Sequence, residues 1–106
     1  MADGSNKFDA LLMSQVRLGI ISVLVSRKDA TFSDLKSLLD LTQGNLTIHL
    51  QKLEDAGYVA VKKEFVARKP RTTCKITAKG RRAFLSHLEL LQAIADGEGG
   101  FDAETN

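Results

Sequence analysis

Two stretches of helical periodicity and a basic, β-rich segment follow one another between residues 33 and 77, and this order constrains the fold most strongly. The first stretch, about Ser33–Asp40, carries leucines along one side of a helix. The second, about Gln43–Ala56, repeats leucine at i, i+4 and i+7 and stops at Gly57. Because only Leu41-Thr42 separates them, the sequence predicts two short helices joined by a tight turn.

A β-hairpin is predicted after Gly57. Tyr58–Val66 and Thr72–Thr77 are rich in β-branched and aromatic residues, which favour strands. Arg68-Lys69-Pro70-Arg71 lies between them, where we expect the hairpin tip, with Pro70 ending the strand pairing. The sequence therefore predicts a two-stranded hairpin with a basic tip.

Further helices are predicted on both sides of this segment. Ser14–Arg27 is predicted to be a capped helix, and Ala30–Phe32 a short extended link. The inner side of the helix at Ser14–Arg27 carries Val16, Ile20, Val23 and Leu24. Thr77 can cap a final helix, about Ala78–Ala95, which ends at Gly97.

The length of 106 residues leaves room for one domain, of class α+β and mainly helical. We expect this domain to span residues 8–96, between flexible tails at 1–7 and 97–106. The longest apolar stretch, Leu18–Val25, is far shorter than the ~20 residues that cross a membrane. The polar start of the chain lacks the apolar region of a secretory signal, so we expect a cytoplasmic location.

Positive charge is concentrated in one part of the chain. Between Lys62 and Arg82 there are nine lysine and arginine residues and a single acid, Glu64, which is a local charge of +8. Because the whole chain carries +2, the remainder must carry −6. A basic element in an otherwise acidic protein is typical of polyanion binding. Alternatively, these lysines are solvated charges that keep an edge strand from aggregating.

The sequence also argues against several classes of site. Cys74 is the only cysteine, which excludes an intrachain disulfide and a cysteine-cluster zinc site. His49 and His87 lie far apart with no carboxylate at metal-ligand spacing, so neither a metal nor a cofactor is expected. An enzyme would need a nucleophile–base pair, a pair of carboxylates or a glycine-rich phosphate loop, and the sequence contains none of these. Cys74 shares a predicted strand face with Ile76 and is expected to be a small buried hydrophobe.

The order and spacing of four segments resemble the winged-helix transcriptional regulators of the MarR/ArsR type, closest to their short, single-domain branch. Within Phe8–Leu88, the matching segments are Asp9–Leu18, Asn45–Val59, Phe65–Thr73 and Ile76–Arg81. The resemblance implies a winged helix-turn-helix with a two-stranded β-hairpin wing and a long C-terminal helix. It also implies a homodimer and a recognition helix at Gln43–Ala56. The paired cysteines of metal-sensing members are missing, as is the N-terminal reactive cysteine of peroxide sensors.

The outward face of the helix predicted at Gln43–Ala56 is expected to read DNA bases in the major groove. This face lies opposite the buried leucines and comprises Asn45, Thr47, Ile48, Gln51 and Lys52. Asparagine and glutamine can pair with adenine edges, while threonine and isoleucine can contact a thymine methyl group. The alternative is an ordinary solvent-exposed face.

Three residues near this face have other predicted roles. His49 borders the buried leucines, where a structural hydrogen bond is favoured over base contact. Arg17 lies among apolar residues of the first helix, and we expect an ion pair with Glu54 or Asp34. Gly44 costs a helix about 1 kcal/mol relative to alanine, and it either admits a phosphate to the backbone or suits the turn.

The basic hairpin is predicted to contact the DNA backbone or minor groove. A guanidinium can enter a narrow minor groove, and lysine and threonine side chains can bind phosphates. The predicted contacts are Lys62, Lys63, Arg68, Lys69, Arg71, Thr73 and Lys75. Lys79, Arg81 and Arg82 continue the charge at a helix N-terminus, where cations oppose the helix dipole. Three cations that oppose the dipole at the same helix end favour a functional reason for these charges.

Excess apolar surface at both ends of the domain predicts self-association. The first and last segments carry more apolar residues than one buried helix face needs. The predicted dimer contacts are Phe8, Leu11, Leu12, Phe84, Leu88, Leu91 and Ile94. With no separate sensor domain expected, any effector would have to bind at the dimer interface, and whether one exists stays open.

Together these features predict a homodimeric, sequence-specific transcriptional regulator that binds double-stranded DNA, without a cofactor and without membrane association. A winged helix used only for protein–protein interaction is the alternative. Such a module does not need nine basic residues around its wing, so the charge distribution favours DNA.

Overall fold

The computed structural model of the protein describes residues 9–97. Phe8, the predicted tail 1–7 and all of the predicted tail 97–106 except Gly97 lie outside the described residues. The elements are a 3-10 helix (Ala10–Met13), α1 (Gln15–Arg27), β1 (Asp29–Thr31), α2 (Phe32–Leu38), α3 (Gln43–Asp55), β2 (Val59–Val66), β3 (Lys69–Ile76) and α4 (Ala78–Ala95). The predicted class, α+β and mainly helical, is confirmed.

α1 begins where the sequence predicts. The Ser14 side chain accepts a hydrogen bond from the backbone N–H of Arg17 at 3.2 Å and so caps the helix. Ile20 and Leu24 are fully buried as expected, and Ile21 is buried with them. α1 packs against α3, α4 and the sheet, so more of its surface is covered than one apolar stripe suggests.

A third strand replaces the extended link predicted for residues 30–32. β1 pairs antiparallel with β3, with Ala30 opposite Cys74 and Thr31 opposite Thr73, and the sheet order is β1-β3-β2. Three residues are too short to show the alternation by which a strand is recognised in sequence. The backbone of β3, far along the chain, supplies the hydrogen-bond partners that make this segment a strand.

α2 starts one residue before the prediction and ends two residues earlier. Thr31 caps it in a capping box, because Asp34 N–H donates to Thr31 Oγ1 at 3.0 Å and Thr31 N–H donates to the Asp34 carboxylate at 3.2 Å. The hydrogen bonds from Thr31 hold the pKa of Asp34 below its ordinary value. Asp40 has a positive φ of 54° and lies in the turn toward α3, outside the helix.

α3 begins and ends close to the prediction. Thr42 Oγ1 accepts a hydrogen bond from the backbone N–H of Asn45 at 3.1 Å and caps the helix. Its buried residues are Leu46, Leu50 and Leu53. Gly57, with a positive φ of 81°, follows the helix in the left-handed conformation that glycine adopts most readily.

The tip of the hairpin differs from the prediction. The turn is Ala67-Arg68, with φ values of 53° and 69°, and two positive values match the twist of two-residue hairpins. Pro70 lies within β3, opposite Phe65, so the prediction that it ends the pairing is wrong. β3 pairs with β1 only at residues 73–75, so the only strand beside Pro70 is β2. The missing N–H of Pro70 therefore breaks no hydrogen bond to a strand on the other side of β3.

α4 is anchored at the base of the hairpin. The Thr77 side chain caps it, as predicted, by accepting from Gly80 N–H at 2.9 Å, and its hydroxyl donates to the Gly57 carbonyl at 2.6 Å. A Cβ on Gly80 would lie 2.2 Å from the carbonyl oxygen of Tyr58, so this close approach requires glycine.

One core joins the helices to one face of the sheet. Its buried members are Leu12, Ile20, Ile21, Leu24, Ala30, Leu35, Leu46, Leu50, Leu53, Val59 and Cys74. The outward face of α3 and the far end of the hairpin lie outside this core. Within residues 9–97, no helix combines the length and apolar character needed to cross a bilayer.

Candidate nucleic-acid interface

The outward face of α3 carries polar residues around one exposed aliphatic side chain. Asn45, Ile48 and Lys52 are all exposed, and Ile48 is 58% exposed. Burying an isoleucine side chain is worth roughly 1.5–3 kcal/mol. A partner that covers Ile48 would therefore gain binding free energy that folding has not used.

Two other predicted base-reading residues make hydrogen bonds within α3. Gln51 Nε2 donates to the Asp55 carboxylate at 2.8 Å, and the Thr47 hydroxyl donates to the Gln43 carbonyl at 2.8 Å. Both bonds are exposed, so water already competes for them. The net value of such a bond is only about 1 kcal/mol, and either side chain can exchange it for a partner on a ligand.

A hydrogen-bonded pair holds α3 against the start of the domain. Arg17 Nη1 lies 2.9 Å from His49 Nδ1, and Arg17 Nε donates to the Leu11 carbonyl at 2.8 Å. Because a guanidinium only donates, Nδ1 accepts and the His49 ring is neutral in this contact. Burial first, and then the Arg17 charge, lowers the pKa of His49. The structural role predicted for both residues is confirmed, but Arg17 does not form the expected ion pair, and Asp34 lies 3.9 Å from Arg27 instead.

A cleft of about 260 Å³ lies between α3 and the hairpin. It brings part of the predicted base-reading surface beside one predicted wing cation, Lys63. The cleft is lined by Phe32, Gln43, Thr47, Leu50, Gln51, Glu54, Val61, Lys63 and Thr72. Gln43 was not predicted as a site residue. It is the first residue of α3, and only the tertiary structure brings the hairpin beside it.

The strand register divides the predicted wing contacts between two faces of the hairpin. Residues directly opposite share a face, and successive residues alternate. Lys63, opposite Thr72, shares the face of half-buried Val61 and buried Cys74, which is the side of α3. The residues that alternate onto the other face are Lys62, Lys69, Arg71, Thr73 and Lys75. Arg68 lies in the turn itself.

Arg71 also lines a second cleft, of about 540 Å³, between the hairpin and α2. Thr31, Ser33 and Lys36 form the other side of this cleft. Lys36 is exposed and adds a cation to this end of the hairpin. The sequence gives no sign of this proximity, since Lys36 precedes the basic segment and belongs to a different element.

One of the three cations near the start of α4 has a structural contact. Lys79 Nζ lies 5.8 Å from the centre of the Tyr58 ring, within reach of a cation–π interaction. The Tyr58 hydroxyl donates to the Asp9 carboxylate, and burial together with this hydrogen bond raises the pKa of Tyr58 to about 12. Arg81 and Arg82 are exposed.

Three of the residues predicted for the dimer interface, Leu11, Leu12 and Phe84, are partly used within the chain. Leu12 is only 1% exposed and belongs to the core of its own domain. Leu11 is half-buried, and Phe84 packs partly against the core. Leu12 is therefore not available to a second molecule, so its prediction as a dimer contact is wrong, whereas Leu11 and Phe84 keep part of their surface exposed.

The α4 leucine stripe, formed by Leu85, Leu88 and Leu91, is different. These side chains are 49%, 43% and 42% exposed, respectively. Ile94 follows at the same spacing and is half-buried. Leu85 was not among the predicted dimer contacts, although its spacing places it beside Leu88. These neighbouring leucines form an apolar surface that the described part of the chain covers only in part.

Cys74 is a packed hydrophobe, as predicted. It is fully buried opposite Val61, and burial raises the pKa of its thiol to about 11. Within residues 9–97, no cluster of three or more histidine, cysteine, aspartate or glutamate side chains could hold a metal ion.

Residues 16–95 match the family of winged helix DNA-binding domains. The chain belongs to this family. The match runs from α1 to α4 and includes both α3 and the hairpin. The sequence is also similar to the uncharacterized protein MJ0432 of Methanocaldococcus jannaschii, at 44% identity over 80 residues, which are 74% of this chain and 87% of that protein.

Solved structures of transcriptional regulators share the fold. A transcriptional regulator homologue protein from Pyrococcus horikoshii OT3 superposes with a TM-score of 0.79 at 40% identity, covering 84% of this chain and 88% of that one. An ArsR family transcriptional regulator has a TM-score of 0.55 at 25% identity, covering 82% and 84%. The predicted resemblance is confirmed: this is a winged-helix domain of DNA-binding transcriptional regulators and not an enzyme.

Proposed function

We propose that this winged-helix protein is a cytoplasmic, homodimeric transcriptional regulator that recognises a specific double-stranded DNA sequence. α3 would enter the major groove, and the hairpin wing would lie on the minor groove or the backbone. The family and the regulator relatives support DNA as the partner. The assembly and the individual contacts are our own proposal.

The composition of the α3 outward face carries this proposal. Exposed Ile48 lies between Asn45 and Gln51, which each bear a side-chain amide. A base-pair edge in the major groove offers hydrogen-bond donors, acceptors and the thymine methyl group. An amide on each side of an aliphatic group is complementary to such an edge. Thr47 and Lys52 would extend the same contact.

The hairpin would supply affinity that does not depend on sequence. Lys63 lies beside α3 and Arg68 lies in the turn, while Lys69 and Arg71 flank the turn on β3. Such cations neutralise phosphates and release counterions, so binding weakens steeply with salt. Lys62, Thr73 and Lys75 lie farther from the turn, on the same hairpin face as Lys69 and Arg71. They could contact backbone only as the groove curves around the wing.

A homodimer would place two copies of α3 on successive major grooves, about 34 Å apart. The α4 leucine stripe supports this assembly, since apolar residues in a row on a helix need a second apolar surface. Ile94 and Phe84 would border the contact. The operator would then be a pseudo-palindrome.

The test is selection of bound duplexes from a random pool, followed by binding to the selected and to random DNA at several salt concentrations. We expect one enriched pseudo-palindrome and a steep salt dependence on both kinds of duplex. Recovery of no preferred sequence, together with indifference to salt, would favour the protein–protein interaction module instead.

A further inference from the structure

Phe65 is the most exposed of the large hydrophobic side chains in the described part of the chain, at 76% exposure. It lies near the end of β2, opposite Pro70, and two residues from the Ala67-Arg68 turn. Single exposed hydrophobic side chains are common on protein surfaces, so the role of Phe65 depends on what surrounds it. Its ring contributes little to the core and is available to a partner.

The strand register places Phe65 on the α3 side of the hairpin. Three cross-strand pairs share this face because they follow at intervals of two residues: Val61–Cys74, Lys63–Thr72 and Phe65–Pro70. The first pair contributes to the core, and the second lines the cleft against α3. Phe65 and Pro70 therefore continue, toward the hairpin tip, the surface that begins at α3.

The charges around Phe65 indicate which partner covers it. The cations near it on the hairpin are Lys63, Arg68, Lys69 and Arg71. The neighbouring acid, Glu64, is already paired with Lys62 at 3.6 Å. A second copy of this hairpin would bring like charges together, whereas the phosphates of DNA would be attracted.

We infer that Phe65, backed by Pro70, is an apolar wedge that enters the minor groove and partly unstacks one base step in each half-site. The flanking cations hold the phosphates on either side of the inserted ring. Apolar side chains inserted in this way kink a duplex by about 20–90°. The inference rests on the proposed function and deepens it.

The wedge adds a source of sequence preference that α3 does not provide. Pyrimidine–purine steps such as TA and CA/TG are the most easily kinked and unstacked. A wing that only neutralises phosphates has no reason to distinguish these steps from others. The operator is therefore expected to carry a pyrimidine–purine step where each wing lies.

The experiment uses the full chain and the duplex selected from the random pool. Affinity is measured together with DNA bending, by energy transfer between the duplex ends, and with 2-aminopurine fluorescence, the probe being placed in turn at each flanking step. The wild-type protein is expected to bend the duplex by at least about 20° and to raise the fluorescence at one step per half-site. Phe65→Ala should abolish both signals and weaken binding about tenfold or more.

Matched variants separate the wedge from a general effect on the hairpin. Val66→Ala truncates the neighbouring, 40% exposed side chain on the other face, and should leave affinity, bending and fluorescence unchanged. Phe65→Leu keeps an apolar wedge and should retain part of the bend. The salt dependence of Phe65→Ala should equal that of the wild type, since no charge is removed. Because Phe65 is exposed, its variants should melt at the wild-type temperature.

Two results would overturn the wedge and leave the proposed function standing: Phe65→Ala bends and binds like the wild type, or it weakens self-association in light scattering. The second result would assign Phe65 to a contact between copies. Failure of the proposed function has a different signature, since the wild-type chain would then enrich no sequence from the random pool. That outcome would overturn the wedge as well.

Discussion

α3 and α4 both expose aliphatic side chains, but the surroundings of those side chains differ. On α3, Ile48 is 58% exposed and is flanked along the helix by polar residues that can donate and accept hydrogen bonds. On α4, the leucine stripe is 42–49% exposed and its members follow one another at three-residue spacing. One surface mixes polar and apolar groups, and the other is a continuous apolar row.

The difference suggests two kinds of partner. A base edge offers hydrogen-bonding groups beside a methyl group, and this suits the mixed face of α3. A continuous apolar row needs another apolar surface, such as the same row on a second copy. The two helices should therefore respond differently to charge and to truncation, and the following variants test that expectation.

Charge placed on the α4 leucine stripe should have the largest effect. Leu88→Glu or Leu91→Glu would put a carboxylate into the proposed dimer contact, so light scattering should show monomers, or the protein should become insoluble. Loss of the second half-site should weaken operator binding by about a hundredfold or more. Ser86→Glu adds the same charge on another side of α4 and should stay dimeric. A wild-type monomer at high concentration would rule out this use of the stripe.

Truncation on the buried side of α3 should have the next largest effect, and on stability alone. Leu50→Ala should lower the free energy of unfolding by about 2–5 kcal/mol, because it opens a cavity in the core. Denaturant unfolding measures this loss. At temperatures where the variant stays folded, its operator affinity should match the wild type, and a loss of affinity there would mean that Leu50 also shapes the reading surface.

Truncation on the outward side of α3 should show the opposite pattern. Asn45→Ala or Gln51→Ala should weaken operator binding by about 1–3 kcal/mol, as for one bidentate base contact. Binding to random DNA should barely change, and the free energy of unfolding should stay within about 0.5 kcal/mol of the wild type. Paired melting and binding curves check both statements. If these variants unfold, or bind the operator normally, this face does not read DNA.

Truncation of a wing cation should affect all duplexes alike. Arg68→Ala or Lys69→Ala should weaken binding to operator and random DNA together and reduce the salt slope by about 1. Gln51→Ala serves as the uncharged control, and its slope should equal that of the wild type. An altered base preference with an unchanged slope would assign the residue to base reading instead.

Gly44→Ala should have the smallest effect, and a stabilising one. A Cβ at this position meets no atom within 4 Å, so the helix should gain about 0.5–1 kcal/mol relative to glycine. Thermal unfolding measures the gain, and a loss of stability would contradict the open space around Gly44. A parallel loss of operator affinity would indicate that a phosphate approaches the backbone there, whereas unchanged affinity would assign the glycine to the turn.

The helix boundaries show what could be predicted from sequence. Ser14 and Thr77 each cap a helix as predicted, because each side chain accepts a hydrogen bond from an N–H three residues later. Thr42, which was expected only in the turn, caps α3 in the same way. The leucine spacing of α3 correctly identified its buried face for a similar reason, since helical neighbours are close in sequence. The outward face of α3 follows from the same geometry, and a helical wheel was enough to predict that Ile48 is exposed.

Features that join distant segments were missed or misplaced. The expected link at residues 30–32 became a strand because β3 lies beside it, and Arg17 bonds His49 on another helix instead of an acid. The hairpin turn Ala67-Arg68 has neither the glycine nor the asparagine that usually marks such a turn. Neither the exposure of Phe65 nor the use of Leu12 inside its own core could be derived from spacing.

By itself the sequence determined the capped helices, the leucine face of α3, the basic hairpin and the family resemblance. These depend on contacts over a few residues, or on charge that composition already displays. Only the tertiary structure decided which hairpin face meets α3, which apolar residues stay exposed and which polar groups pair across elements. Such outcomes depend on contacts between segments far apart in the chain, where loop closure and packing, and not local propensity, select the partner.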